Sequence, residues 1–127
     1  MSDTPTKENI YFQALIDSLN DKKAEKIITY EVQDYPLIAE KIVLCSANNN
    51  IHLNALMQAL KDAHIELKSE DKHVGHLQFS GEKQSAWLIV ETGVCIIHIL
   101  TEEMRGYYAL DELFTNYATV VHHETDH

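Results

Sequence analysis

The residues best suited to catalysis by type and spacing are His123-Glu124-Thr125-Asp126-His127, which match the H-E-x-x-H pattern of zinc proteases. That chemistry requires both histidines on one face of a helix, the glutamate as general base and a further metal ligand elsewhere. Here the motif lies in a polar segment that lacks the apolar spacing of a packed helix. We therefore interpret the match as a coincidence and predict neither a metal site nor a cofactor.

Serine, glycine and histidine residues elsewhere form no recognised catalytic pattern. Ser46 follows an apolar run, as a nucleophile can, but no G-x-S-x-G turn surrounds it. The four glycines are scattered, so no Gly-rich phosphate loop is present. His98 lies in an apolar run, where a histidine is more often hydrogen-bonded in the core than a base, and His52 fits either a capping contact or a surface position. The sequence predicts a protein that is not an enzyme.

Length and composition favour one globular domain. The chain has 127 residues, of which 45% are hydrophobic and 24% charged, and that apolar fraction is too high for a disordered chain. No apolar run reaches the ~18–20 residues that span a bilayer, and the polar start lacks the apolar segment of a secretory signal. Cys45 and Cys95 both lie in apolar runs, which is typical of buried, reduced thiols. We expect a cytoplasmic protein that does not interact with membranes.

The charge balance bears on the kind of partner. Ten basic and twenty acidic residues give a net charge of −10, and no lysine and arginine cluster is present to neutralise phosphates. We therefore predict no direct sequence-specific nucleic-acid binding. Residues 101–127 carry six acidic residues against Arg105 alone. Such a surface could steer a basic protein partner, or it could serve only to keep the protein in solution.

Hydrophobic periodicity in the first half predicts a helix, two strands and a second helix. Ile28, Tyr30 and Val32 alternate with polar residues, as in a strand with one solvated face. The continuous apolar run 42–45 indicates a strand covered on both faces. One apolar stripe at helical spacing then predicts the second helix, with asparagines before it as a turn and N-cap; its positions are Leu53, Leu56, Met57 and Leu60.

The second half predicts three strands and a final helix. The polar stretch 66–75 indicates a loop, and Leu77 with Phe79 indicates a short edge strand. Two β-rich runs, 86–90 and 94–100, predict a hairpin that turns near Gly93. The whole order is helix, two strands, helix, three strands, helix, which predicts an α/β architecture with a mixed sheet.

The last predicted helix carries most of the acidic surface. Thr101 is a suitable N-cap, and Glu102 and Glu103 are favourably placed in the first turn. We expect Gly106 to break this helix. Adjacent residues on a helix point about 100° apart, so at least one tyrosine of the pair 107–108 is expected to be exposed. We predict a single domain over residues 1–121 and a polar tail over 122–127.

The segment from Trp87 to Phe114 resembles the ribosomal silencing factor family, also called Iojap-like. It contains the tryptophan, an apolar strand, a glycine turn at Gly93, a second strand with His98 and an acidic helix. Further matches lie upstream at 21–27, at 38–46 and at His52. The resemblance covers roughly residues 11–114 and is most specific over 87–113.

Several positions depart from the pattern that the family usually shows. Glu40-Lys41 stands where an Asp-Tyr pair is usual, and 47–52 lacks the glycine and arginine of the family's Gly-x-Ser-x-Arg-His segment. Glu91-Thr92-Gly93-Val94 has lost one acidic residue, and Phe114 replaces the closing tryptophan. The sequence is therefore that of a divergent member.

The resemblance implies an α/β fold whose mixed sheet is flanked by helices, similar to the nucleotidyltransferase fold but without its catalytic acids. It also implies a function, namely binding to the large ribosomal subunit through its fourteenth protein. The bound factor would sterically block joining with the small subunit and so repress translation under nutrient limitation. We expect a monomer or a weak homodimer.

The positions that match the family's motifs, together with the acidic residues beside them, divide into two sets. We predict partner contacts at polar and aromatic positions of the C-terminal half, namely Glu91, Glu102, Glu103, Arg105, Tyr108, Asp111 and Glu112. We expect the other motif positions to be structural, namely His52, Trp87, Gly93, His98, Leu110 and Leu113.

Two alternatives stay open at this point. The departures from the family pattern leave room for a non-catalytic binding module that recognises another basic protein. A nucleotidyltransferase-type enzyme would need paired aspartates after a Gly-Ser turn to hold two metal ions. Ser46-Ala47 is followed by no Asp-x-Asp, which makes the enzyme the weaker alternative.

Overall fold

The structure is a computed structural model, and it describes residues 7–31, 41–70, 76–81, 86–93, 95–112 and 119–123. Its elements are α1 (Lys7–Asp21), β1 (Glu25–Glu31), β2 (Lys41–Ala47), α2 (Asn50–Glu70), β3 (Gln78–Ser80), β4 (Trp87–Glu91), β5 (Cys95–Thr101), α3 (Glu102–Tyr108) and β6 (Thr119–His123). The predicted order of helices and strands is confirmed, and β6 is an addition to it.

The strands form one mixed sheet of six, in the order β3-β4-β5-β2-β1-β6. β2 and β5 are parallel neighbours, and the other pairs are antiparallel, including the predicted β4–β5 hairpin. β3 lies at one edge of the sheet, as its short alternating pattern predicted. The α/β architecture with a mixed sheet is therefore confirmed.

The main core lies between one face of the sheet and the pair α1 and α2. The predicted stripe on α2 packs here, with Leu53, Leu56 and Leu60 fully buried and Met57 partly buried against them. From β2, Val43 and Cys45 contribute to this side, because residues two apart in a strand share a face. α1 adds four buried residues at helical spacing, which are Tyr11, Leu15, Ile16 and Leu19.

A smaller core lies on the opposite face, beneath α3. Tyr30, Leu44, Leu100 and Leu110 are buried there, and Trp87 and Met104 pack against them with parts of their side chains. Leu44 faces this second core while its neighbours in β2 face the first. This arrangement confirms the prediction that the run 42–45 forms a strand covered on both faces.

α2 is longer than predicted. It continues to Glu70, so the prediction of a loop from residue 66 is wrong for residues 66–70, and residues 71–75 lie outside the described ranges. Ala63 and Leu67 continue the apolar stripe and pack against the main core. The polar residues on either side of Leu67, Glu66 and Lys68, are good helix formers on the solvent side. Polarity alone therefore did not mark the end of the helix.

The last helix ends for a different reason than predicted. Gly106 does not interrupt α3, which runs through Tyr108. Ala109 follows in the left-handed conformation at φ 52°, and its N–H donates to the carbonyls of Arg105 and Gly106 as a C-cap. Residues 110–112 resume helical geometry. The predicted division of the helix is therefore present, but Ala109 causes it.

β6 extends the sheet beyond the element predicted last. Thr119–His123 pairs antiparallel with β1, with His122 opposite Thr29 and His123 opposite Ile28. The ladder therefore continues through two residues of the segment that was predicted as a tail, while 124–127 lie outside the described ranges. None of the helices in the described part of the chain is both long and apolar enough to cross a membrane.

Candidate protein-binding face

Trp87 and His98 form the base of an aromatic surface beside α3. Trp87 opens β4 opposite Leu100, and His98 lies two residues before Leu100 in β5, so both side chains project from the same face. The Trp87 indole Nε1–H donates to His98 Nδ1 at 3.1 Å. Burial lowers the pKa of His98 to about 4, so the ring is neutral at pH 7 and Nδ1 can accept this bond. Both side chains are partly buried.

Two tyrosines of α3 extend this surface into solvent. The ring of Tyr108 lies 4.8 Å from that of Trp87 between centroids, and the ring of Tyr107 lies 5.0 Å from that of Tyr108, nearly perpendicular to it. Tyr107 is 76% exposed and Tyr108 is 44% exposed, which confirms that at least one of the pair faces solvent. We call His98, Trp87, Tyr108 and Tyr107 the aromatic row. It leads from the sheet to the surface.

Acidic residues flank the aromatic row at both ends of α3. Thr101 is the predicted N-cap and accepts a hydrogen bond from the Met104 N–H. Glu102 and Glu103 are exposed in the first turn, where the backbone N–H groups favour negative charge, and Glu112 is exposed past the other end. Glu102 forms an ion pair with Lys26 of β1, whose side chain is also more than half exposed.

Arg105 lies beneath this surface. It is only 5% exposed, although its family-motif position predicted a partner contact. Its Nε and Nη2 donate to the Asp111 carboxylate at 2.8 and 2.7 Å, and Nη1 donates to the Lys26 carbonyl and to Ser46 Oγ, both at 2.9 Å. The Tyr30 hydroxyl donates to the same carboxylate at 3.3 Å. We call this arrangement the arginine clasp.

The arginine clasp joins α3 to β1 and β2. Its charge-assisted bonds from Arg105 hold the pKa of Asp111 below its usual value, against the opposing effect of partial burial. Sequence reasoning missed Tyr30 and Ser46 as members of this site. Ser46 could have been recognised from its position, since its hydroxyl lies in a strand that is otherwise apolar and buried on both faces. Such a buried hydroxyl needs a hydrogen-bond partner.

A depression of 350 Å³ opens beside the arginine clasp. It is lined by Lys26, Ile28, Glu102, Arg105, Gly106 and Asp111. A Cβ added at Gly106 would meet no atom within 4 Å, so the glycine leaves this side of α3 open. The depression and the aromatic row together give the α3 face a concave part and a projecting part.

The remaining motif positions lie elsewhere in the fold. His52, in the first turn of α2, accepts from the Asn48 N–H at Nδ1 and lies 2.7 Å from the Lys22 carbonyl at Nε2. It therefore makes the capping contact that was one of its two predicted roles. Gly93 occupies the β4–β5 turn at φ 89°, which favours glycine.

Glu91 closes β4, about 13 Å along the strand from Trp87 at ~3.3 Å per residue. The structure therefore does not bring it to the aromatic row. Leu110 is buried in the smaller core, and Leu113 lies outside the described residues.

The remaining candidates for chemistry from the sequence are the two cysteines and the residues of the H-E-x-x-H match. Cys45 and Cys95 are free and buried, and burial raises their pKa values to about 12 and about 11, so both thiols stay protonated at neutral pH. His123 belongs to a strand rather than a helix, and the rest of the H-E-x-x-H match lies outside the described ranges. Within those ranges, no three His, Cys, Asp or Glu residues are grouped so that they could hold a metal ion.

Comparison with known families decides the assignment. The sequence profile of the family described as "Ribosomal silencing factor during starvation" matches residues 5–127. The chain belongs to the ribosomal silencing factor family. The resemblance carried by Trp87, Gly93, His98 and the acidic helix is thereby confirmed.

Relatives within the ribosomal silencing factor family are distant in sequence and similar in fold. A protein named ribosomal silencing factor from Halalkalibacterium halodurans is 27% identical over 108 residues, which cover 85% of this chain and 88% of that protein. An Iojap-related mitochondrial protein from Arabidopsis thaliana is 27% identical over 97 residues, covering 76% of this chain and 52% of the relative. A crystal structure from Chromobacterium violaceum superposes with a TM-score of 0.70 at 18% identity, covering 87% of this chain and 88% of the other.

Proposed function

We propose that this protein binds the large ribosomal subunit through its fourteenth protein and thereby blocks joining with the small subunit. The result is repression of translation under nutrient limitation, in the cytoplasm and without catalysis. Membership of the ribosomal silencing factor family supports a role in regulating the ribosome. The specific partner is an inference from the family resemblance of residues 87–113.

The observation that carries this proposal is an exposed aromatic pair on α3, with exposed acids at the start of this helix and just past its end. Tyr107 and Tyr108 supply rigid, amphipathic contact area of the kind enriched at the centres of protein interfaces. Glu103 and Glu112 supply negative charge beside it. An aromatic centre with an acidic rim is complementary to a basic protein surface, and ribosomal proteins commonly present such surfaces.

The two parts of this face contribute to binding in different ways. The tyrosines provide affinity because their removal from water on binding is favourable and costs little conformational entropy. The acids raise the association rate by attracting a basic partner before contact, and this attraction weakens as salt is added. We therefore expect attachment to large subunits to weaken with rising ionic strength.

The arginine clasp supports the same face from beneath. Arg105 uses its guanidinium within the fold and would not contact a partner directly. By fixing α3 against β1 and β2 it determines where the tyrosines and acids point. Asp111 is half-exposed but engaged with Arg105 through both carboxylate oxygens. Of the predicted contacts, Tyr108, Glu103 and Glu112 are the positions best placed to meet a partner.

Blocking by occupancy requires only that a folded body stay bound where the two subunits would otherwise meet. The proposal therefore demands no catalytic group, and the neutral, hydrogen-bonded His98 fits a structural part in it. It does demand a surface that remains exposed in the free protein. The aromatic row meets this demand, because Tyr107 has three quarters of its surface in solvent.

The test uses the double variant Tyr108→Ala with Glu112→Lys and purified ribosomal subunits. We expect co-sedimentation with large subunits to weaken by about tenfold or more, since losing an aromatic anchor at an interface costs ~2 kcal/mol. Inhibition of subunit joining, measured by sucrose-gradient sedimentation, should fall in parallel. The free energy of unfolding should stay within about 1 kcal/mol of the wild type, because both side chains are exposed.

The matched control is Ile51→Ala with Glu66→Lys, which makes the same type of change at two exposed positions on α2. It should leave attachment and inhibition unchanged. Equal loss in both double variants would refute the placement of the site at α3. Wild-type protein that attaches to large subunits without hindering their joining would refute the blocking mechanism.

A further inference from the structure

A second groove lies at the edge of the sheet, far from the aromatic row. It has a volume of 280 Å³ and is lined by Lys61, His64 and Ile65 of α2 and by Leu77 and Phe79 at β3. We call it the edge groove. Its apolar part is open to solvent, since Ile65 is 64% exposed. That volume suits one bulky side chain rather than a folded domain, because drug-sized ligands occupy pockets of ~300–1,000 Å³.

The edge groove has a basic rim on an acidic protein. Lys61, His64, Ile65 and Lys68 share one face of α2, because residues three and four apart on a helix are neighbours. The Lys61 ammonium lies over the Phe79 ring, 5.2 Å from its centroid, so the positive charge is held against the apolar floor. Burial lowers the pKa of His64, and electrostatic interactions with the neighbouring Lys68 and His76 lower it further.

The side chains of the edge groove are already oriented. The Tyr11 hydroxyl and His64 Nδ1 share a hydrogen bond of 2.8 Å, which fixes the imidazole and leaves its Nε2 on the other side of the ring. Leu77 and Phe79 pack against the main core beneath α1 and α2. The aromatic row lies on the opposite face of the sheet, over the smaller core, so the two surfaces are independent.

We propose that the edge groove binds an acidic peptide segment that carries one bulky apolar side chain. The apolar side chain would lie against Ile65, Leu77 and Phe79. Carboxylates on either side of it would pair with Lys61 and Lys68 and accept a hydrogen bond from His64. β3 is an edge strand that pairs only with β4 among the described strands, and an extended peptide can run along such an edge.

The net charge of −10 does not oppose this assignment at short range. Charges separated by more than ~8 Å are largely screened at physiological ionic strength, so the groups within the groove dominate. The nearby acids Asp62 and Glu66 lie about 60° and about 100° around the α2 axis from Ile65, on the side away from the two lysines, and Asp62 accepts a hydrogen bond from Gln58 there. The negative charge of the rest of the protein repels larger acidic surfaces. Binding is therefore restricted to a peptide that is small enough to enter the groove.

The test measures fluorescence anisotropy of a fluorescein-labelled peptide of sequence EDEFEDE, titrated with the whole protein. We expect saturable binding by the wild type. Binding should weaken about tenfold or more for Lys61→Glu with Lys68→Glu, and also for Ile65→Ser, which removes an exposed apolar contact. The charge-matched control is Lys22→Glu with Lys23→Glu, at two exposed lysines in the α1–β1 turn, and it should bind like the wild type.

Two further probes separate the occupants. The peptide EDESEDE, which lacks the apolar side chain, should bind at least about tenfold more weakly than EDEFEDE. Vesicles of phosphatidylglycerol should not bind. Absence of EDEFEDE binding, equal loss in the lysine control, or binding to vesicles but not to the peptide would each overturn the proposal. No ribosomal material is used, so these outcomes do not depend on the function proposed above.

Discussion

Removing the carboxylate of the arginine clasp should destabilise the whole fold. In Asp111→Ala, Arg105 loses the acceptors of its Nε and Nη2 groups while its 5% exposure keeps water from replacing them fully. A hydrogen bond to a charged group is worth ~1.5–3 kcal/mol, and two are lost. Because the Asp111 side chain is 44% exposed, part of its attraction is already screened, so we expect a loss of about 2 kcal/mol.

The assays are urea denaturation and thermal melting, both followed by the fluorescence of Trp87, which is the single tryptophan and packs on Tyr108 of α3. A loss of that size should lower the thermal midpoint by about 8 °C, at ~4 °C per kcal/mol for a domain of this length. Glu112→Ala is the control, because it removes a neighbouring exposed carboxylate, and it should stay within ~0.5 kcal/mol of the wild type.

The pH dependence provides a second check on the same group. Arg105 lowers the pKa of Asp111 in the folded protein, so this carboxylate stabilises the fold at pH values above its ordinary pKa of 3.8. The stability difference between the wild type and Asp111→Ala should therefore be fully present at pH 7 and shrink as the pH falls below about 4. If Asp111→Ala lowers the free energy of unfolding at pH 7 by no more than Glu112→Ala does, the structural role of the arginine clasp is refuted.

Two further predictions concern single residues beside the proposed site. Burial lowers the pKa of His98 from 6.5 to about 4, so unfolding takes up a proton between these values, and stability should fall by ~3 kcal/mol from pH 6.5 to pH 4. Denaturant titrations across this range should show a smaller decline for His98→Gln, and an equal decline would refute the assignment. Ala109→Gly should stabilise the protein by about 0.5–1 kcal/mol by relieving the left-handed conformation at φ 52°, whereas Ala55→Gly on the exposed side of α2 should destabilise it by ~1 kcal/mol in the same melts.

Local patterns in the sequence predicted those elements whose cause is local. The continuous run 42–45 and the stripe from Leu53 to Leu60 each report directly which side of an element is buried. The alternation at Ile28 and Tyr30 predicted the strand, but the predicted solvated face of β1 is wrong, because Thr29 is buried and Ile27 packs in the main core. β6 was missed because nothing near Thr119–His123 demands a strand. Its β-branched residues become a strand by pairing with β1, about 90 residues earlier in the chain, and such a partner is visible only in the fold.

The exposed part of the candidate face on α3 was predictable from the sequence, and the buried part beneath it was not. Adjacent tyrosines on a helix cannot both be buried, and this reasoning identified the pair at 107–108. An arginine, in contrast, is expected at the surface. Arg105 is buried because Ser46 and the Lys26 carbonyl, 59 and 79 residues away along the chain, accept its hydrogen bonds. Only tertiary structure brings those partners together, so nothing in the sequence indicated that Arg105 is buried and hydrogen-bonded within the fold.

The arginine clasp and the aromatic row are linked through the geometry of α3. A helix of seven residues is too short to be stable alone in water, so its orientation depends on what it contacts. Arg105 points inward to the arginine clasp, and Tyr108 lies three positions later, about 300° around the axis, which sets it against Trp87. Any change that releases Arg105 therefore also displaces the tyrosines. Loss of subunit binding at full stability identifies a contact residue, whereas loss of both together identifies a residue that holds the helix.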